Sequence, residues 1–170
     1  VEPKDVKSID HEPIEEAERI KNGYIDRENI VIEEIVTNEA YYSPMMDYIQ
    51  VPCKEQFKDI MEFYSTLFHE MVHSTGHADR LGRLNTGVKL ASFGSEEYSK
   101  EELIAEIGSA FLMNHIGIET SKTFKNSAAY IQSWLKVLRN DNRFIVSASG
   151  KAEKAMKYIL GTMEENVVTA

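Results

Sequence analysis

The sequence predicts an α+β domain, with a small antiparallel sheet followed by a long amphipathic helix and a mostly helical C-terminal half. Three observations carry this. Short β-rich stretches crowd the first third of the chain; apolar residues then recur at helical spacing from about residue 54 to 75; and the same periodicity returns in three later segments with no strand-like run between them.

Each element has its own signal. A first helix is expected over residues 12–21, ended by Asn22-Gly23. Residues 30–36 read as a strand, and Ala40-Tyr-Tyr and Asp47-Tyr-Ile-Gln-Val51 as two more, broken at Ser43-Pro44. Phe57, Ile60, Met61, Tyr64, Leu67, Phe68, Met71 and Val72 mark one face of the long helix over 54–75. Gly76 follows directly and suits a left-handed cap that would end it. Residues 80–95 read as an irregular loop. A further apolar-periodic helix starts near Ser99 and runs to about residue 118, and segments 128–138 and 152–160 give two more around Asn140-Asp141. Trp134, in step with Tyr130, Ile131 and Leu138, is assigned to the core and not to base stacking; Met113 is likewise a core residue.

Composition narrows the function classes. A length of 170 residues with 42% hydrophobic content suits one globular domain with a sizeable core. No apolar run is long enough for a membrane span and no secretory signal pattern is present, so a cytoplasmic protein without a membrane partner is expected. The single cysteine, Cys53, excludes an internal disulfide and any Cys-cluster zinc site, and is expected to serve packing. With 28 acidic against 19 basic residues, net charge −9, the domain is a poor phosphate binder by itself. Residues 1–10 lack periodicity and read as a linker, leaving 11–170 as the domain; with no initiating Met, the chain is expected to be the C-terminal part of a longer protein.

The chemistry concentrates at His69-Glu-Met-Val-His73. Residues four apart on a helix share a face with Cβ atoms about 5–6 Å apart, so both imidazoles can present a nitrogen to one Zn²⁺ at about 2.0–2.1 Å. Glu70 between them is the expected general base on a water held by that ion. The pair lies well away from the centre of the apolar stripe, which argues against two core histidines. A catalytic site needs a third protein ligand and an open position. Glu102 is one candidate: it shares a helix face with Glu106, which would accept a hydrogen bond from the far nitrogen of a ligating histidine. The competing role for Glu102 is a capping box with Ser99; against it, Glu101 is available for helix-end electrostatics, which leaves Glu102 to the ion. The second candidate ligand is Asp79, six residues after His73, in a metzincin-like string His69-Glu-x-x-His-x-x-Gly-x-x-Asp79; against it, Arg80 and Arg83 offer Asp79 an ordinary ion pair and no Met-turn is evident. His77 is third. Tyr98, His77 and His115 are nominees for stabilising an oxyanion, and the strand near 47–51 for pairing with an extended peptide substrate.

Sheet, H-E-x-x-H helix and Glu-bearing helix in that order is the layout of the zincins. Ala40-Tyr-Tyr-Ser-Pro, His69-Glu-Met-Val-His-Ser-Thr-Gly-His77, Arg80-Leu-Gly-Arg83, Phe93-Gly-Ser95, Glu101-Glu-Leu-Ile-Ala-Glu-Ile-Gly108 and Ser133-Trp-Leu135 together resemble the zincin-like metallopeptidase domain of ArdC-type antirestriction and polyvalent proteins, over about residues 12–162. The resemblance implies a zinc-dependent peptide hydrolase of a mobile element, preceded by a domain that binds single-stranded DNA, so that DNA is reached only through a missing upstream domain. Glu102-Leu-Ile-Ala-Glu106 also resembles the gluzincin E-x-x-x-D helix, with Glu in place of Asp. Two other classes remain: an acidic DNA mimic with a structural metal, distinguished by carboxylates spaced like phosphates, and a DNA-associated accessory module.

Overall fold

Ala17, Ile20 and Tyr24 are sealed from solvent at the i, i+3, i+7 spacing of one helix face. They carry α1 (Glu15–Glu28) straight through the Asn22-Gly23 pair at which the sequence reading ended it. Tyr24 explains the extension: its hydroxyl meets Ser74 Oγ at 2.9 Å inside the core, so stopping earlier would forfeit both the buried ring and its partner. The helix ends at Asn29, in the left-handed region with φ 53°. The computed structural model describes residues 8–84, 94–118, 121–139 and 141–163, with the side chains of 121–127 and 137 outside that description. Expectations for residues 1–7 of the linker, for 85–93 of the loop and for Asn140 lie outside it; residues 8–10 belong to no helix or strand.

The sheet comprises β1 (Val31–Ile35), β2 (Tyr41–Ser43) and β3 (Tyr48–Pro52) in the order β1-β3-β2. The β2–β3 pair is antiparallel, as expected, but β1 runs parallel to β3, with Val31 opposite Tyr48 and Ile35 opposite Pro52. The sheet is therefore mixed. Burial accounts for the order: Ile49 and Val51 are fully enclosed, so β3 takes the centre, while Val31, Glu33 and Ile35 face solvent and suit an edge. After β1 the chain crosses to the far edge before returning, which makes β1 and β3 parallel. A central β3 also removes the strand near 47–51 as a docking edge, since both its sides are paired.

The helix bearing the histidines, α2, spans Ile60–Ser74. It begins later than its apolar periodicity, because the Asp59 side chain accepts the Met61 N–H at 2.9 Å and fixes the start there. Residues Lys54–Gln56 form only a short 3-10 turn. At the other end Gly76 is not a left-handed cap; the positive-φ glycines among the described residues are Gly82, Gly94, Gly117 and Gly161. Gly76 is needed for space instead. A Cβ there would lie 2.8 Å from Leu84 Cγ and 3.0 Å from His73 O, because the chain folds back and Leu84 N–H donates to Gly76 O at 2.7 Å.

Ser95, not Ser99, caps the next helix, α3 (Glu96–His115), by accepting the Tyr98 N–H at 3.2 Å. Ser99 is buried inside the helix, and the capping box that competed for Glu102 does not form. At Gly108 a Cβ would meet Val72 Cγ2 at 2.8 Å, so the missing side chain lets α3 lie directly on α2. Ser109 Oγ ties the two by donating to Ser65 O at 2.8 Å. Helices α4 (Ser121–Val137) and α5 (Asn142–Leu160) pack on the other sides of α3. α5 begins well before the periodic stretch that announced it, since Asp141 accepts the Arg143 N–H at 3.0 Å. Met113 is sealed in the core and Trp134 packs half-buried against it, with Tyr130 stacked alongside. Cys53 is half-buried, its thiol donating to Gln56 Oε1 at 3.3 Å. No helix among the described residues is long and apolar enough to cross a membrane.

An ionic cluster joins α1, the sheet and the start of α2. Glu18 meets Lys21 at 2.6 Å, Lys54 at 2.7 Å and the Tyr64 hydroxyl at 2.7 Å, and Lys21 also reaches Glu34 at 2.9 Å. Burial works against the Glu18 charge, but these hydrogen bonds outweigh it and hold its pKa down to about 2. A folded pKa below the unfolded value of about 4.3 means that Glu18 stabilises the fold above that pH and loses this contribution as pH falls towards 2. Thermal unfolding of Glu18→Gln is expected to show a loss at pH 7 that shrinks towards pH 3. An equal loss at both pH values would contradict the assignment.

Candidate metal centre

His69 and His73 project from one face of α2 towards α3, and Glu102 projects back from α3 between them. Their Nε2 atoms lie 3.1 Å apart, and the two oxygens of Glu102 approach them at 3.2 Å each. One donor atom from each residue falls within 4.8 Å of the others. This is a metal-site triad. The fold builds it simply: the i, i+4 spacing aligns the histidines, and Gly108 against Val72 brings α3 close enough for a carboxylate to span the gap.

The far side of each ring is also held. His69 Nδ1 lies 3.2 Å from Glu106 Oε2, and His73 Nδ1 lies 3.2 Å from Glu101 Oε1. Carboxylates accept, so a proton on each Nδ1 is held by Glu106 or Glu101, and that tautomer frees both Nε2 lone pairs to converge on one point. Two Nε2 atoms 3.1 Å apart, with a carboxylate beside both, need a positive charge, a proton or a metal ion, to bind them. The electrostatics agree. Burial opposes charging His69, yet Glu102 and Glu106 outweigh it and push its pKa up; burial opposes charging His73, and Glu101 and Glu102 overcome it in the same way. Glu102 is half-buried, and its bonds to the two rings outweigh that desolvation and hold its carboxyl well below the usual range. A divalent ion fits this donor set better than a shared proton, because it can take all three donors at once.

Glu70 is buried at 7% exposure on the same stretch of α2, and its field acts on both rings and on Tyr98. Burial, followed by the charge of Glu102, raises the pKa of the Tyr98 hydroxyl to about 12. The other sequence-derived candidates fall elsewhere. Asp79 is 91% exposed, and among the described residues its carboxylate pairs with His77 alone, at 3.7 Å from carboxylate to ring. Its expected arginine pairs do not form: Arg80 goes to Asp47 and Glu28, and Arg83 to Glu101. His115 is exposed at the far end of α3, 13 residues or about 20 Å along the axis from Glu102. Glu101 was missed as a partner of His73 because a helix starting at Ser99 would leave it in the first turn; with the cap at Ser95, Glu96 and Glu97 fill that place and Glu101 turns inward.

A family model described as zincin-like metallopeptidase matches residues 18–151. The chain belongs to the zincin-like metallopeptidase family. Among curated proteins, this zincin-like chain is 40% identical over 131 residues to DNA primase TraC of Escherichia coli, a match covering 76% of the chain and 12% of that protein. It is 36% identical over 117 residues to the uncharacterized protein y4eC of Sinorhizobium fredii, covering 69% of the chain and 36% of that protein. Among solved structures, it resembles the Mn(II)-bound antirestriction protein ArdC from plasmid R388, with a TM-score of 0.68 and 32% identity over 94% of this chain and 55% of that one. The metal-free structure of the same ArdC matches with a TM-score of 0.65. The chain thus spans about an eighth of TraC and about half of ArdC. The α+β zincin-like architecture and the ArdC-type resemblance expected from sequence both hold.

Proposed function

We propose that this domain is a zinc-dependent peptide hydrolase in which His69, His73 and Glu102 hold the ion and Glu70 is the general base. The observation that carries the reading is the convergence of two Nε2 atoms and one carboxylate, with Glu101 and Glu106 placed to accept from the two Nδ1 atoms behind them. A bound Zn²⁺ supplies Lewis acidity there, polarising a carbonyl and lowering the pKa of water towards about 7. Glu70 takes the proton of the attacking water and passes it to the leaving amine, a shuttle suited to a buried carboxylate one residue from a ligand. The Tyr98 hydroxyl, kept protonated by its surroundings, donates to the substrate carbonyl oxygen as charge develops on it. An extended substrate pairs with β2, the antiparallel edge that packs beside α2 and keeps one side open.

ArdC carries Mn(II) in one of its structures, so the same donor set accepts Mn²⁺ as a second ion in this proposal. Glu101, Glu102 and Glu106 are turned onto histidines and not outward, which favours a metal centre over an acidic mimic of DNA. We infer that the substrate is a cytoplasmic host protein bearing on restriction, and that DNA is engaged only by an upstream domain. Purified protein is expected to cleave an unstructured polypeptide, to lose the activity on chelation and to regain it with Zn²⁺ or Mn²⁺. Cleavage that is indifferent to chelator, or absent in metal-loaded protein, would overturn the reading.

A further inference from the structure

The two arginines of Arg80-Leu-Gly-Arg83 are both withdrawn from solvent, with side chains 3% and 10% exposed, but they do different things. Arg80 forks Asp47 with two bonds of 2.7 Å and reaches Glu28 at 3.1 Å and Ser74 O at 2.9 Å, tying the β2–β3 turn and α1 to the end of α2. None of these partners touches a ligand ring. Arg83 forks Glu101 instead, donating from Nε to Oε2 at 3.1 Å and from Nη2 to Oε1 at 2.9 Å. Its guanidinium is itself fixed to α2, through Nη2 to Val72 O at 2.9 Å and Nη1 to Thr75 Oγ1 at 2.9 Å. The oxygen of Glu101 that receives Nη2 also receives the Nδ1–H of His73.

We propose that Arg83 is a positioning residue for the metal ligand His73, acting through Glu101; the inference rests on the metal-centre reading above. The chain of contacts is closed. It leaves α2 at Val72, passes through Arg83 to Glu101 on α3, and returns to α2 at the ring of His73. A planar guanidinium with two parallel bonds holds a carboxylate in one plane, which one bond from an imidazole cannot do. Glu101 thereby meets the ring from one direction, and Nε2 keeps its aim at the point where His69 and Glu102 converge. The backbone delivers the arginine there: Leu81 N–H donates to Thr75 O, Gly82 N–H to His77 O and Leu84 N–H to Gly76 O, with Gly82 at φ 67° making the reversal. Outer partners that orient a ligating histidine are worth about 10–100-fold in metal affinity.

The test titrates Zn²⁺, and separately Mn²⁺, into wild type, Arg83→Met, Arg83→Lys, Glu101→Gln, the Arg83→Met/Glu101→Gln double variant and Arg80→Lys, with circular dichroism confirming the fold of each metal-free protein. Arg83→Met is expected to weaken Zn²⁺ binding by about 10–100-fold. Arg83→Lys, which keeps charge but not the fork, falls between it and wild type. The double variant binds no more weakly than Glu101→Gln alone, because both act on one link. Arg80→Lys lowers thermal stability yet binds like wild type. Folded Arg83→Met or Arg83→Lys that binds like wild type overturns the inference while leaving the metal centre standing, and so do additive effects in the double variant. Wild type that binds neither ion overturns the metal reading and this inference with it.

Discussion

Glu70→Gln is expected to keep the fold and the metal while lowering kcat/KM for peptide cleavage by about 10²–10⁴-fold, the contribution of a positioned general base. The size follows from what the change removes. Gln has nearly the shape of Glu, so the space around a residue at 7% exposure stays filled, but an amide does not accept a proton at neutral pH. Glu70 also adds negative charge near both rings, so a modest drop in metal affinity accompanies the substitution. Metal content and hydrolysis measured on the same preparation separate the two effects. Unchanged hydrolysis would remove Glu70 from the chemistry; loss of both metal and activity would make it a structural part of the site.

The second large effect concerns the third ligand. Glu102→Ala is expected to weaken Zn²⁺ binding by more than the 10–100-fold typical of an outer partner, since it deletes the carboxylate that lies 3.2 Å from both Nε2 atoms. Asp79→Asn is expected to leave binding unchanged, because that side chain is 91% exposed and pairs with His77, not with the triad. Competition against a chromogenic chelator reads both. The opposite pattern would return the site to a metzincin-like arrangement.

The pairing of His69 with His73 was legible because their spacing is a property of one helix, and a period of 3.6 residues converts it directly into geometry. Glu102 and Glu106 were legible for the same reason. Glu101 and Arg83 were not: the first depended on which serine caps α3, and the second on a chain reversal that brings residue 83 back over residue 72. The register of a helix start turns on a single side-chain hydrogen bond, and two serines four apart offer rival sites for it. β1 was read correctly as a strand but not as parallel, because the buried Ile49 and Val51 decide the strand order from a distance. Gly76 was recognised as special for the wrong reason, since its crowding by Leu84 exists only once the loop has folded back.

In the proposed function one ion sits where these three side chains meet. Crystals grown from zinc-loaded protein, with anomalous diffraction recorded on both sides of the zinc absorption edge, address it most directly. One zinc peak per chain is expected, with His69 Nε2 and His73 Nε2 at about 2.0–2.1 Å, a Glu102 oxygen at about 2.0–2.2 Å, and an open fourth position. A peak coordinated by Asp79 or His77 in place of Glu102, or no peak between α2 and α3, would contradict it.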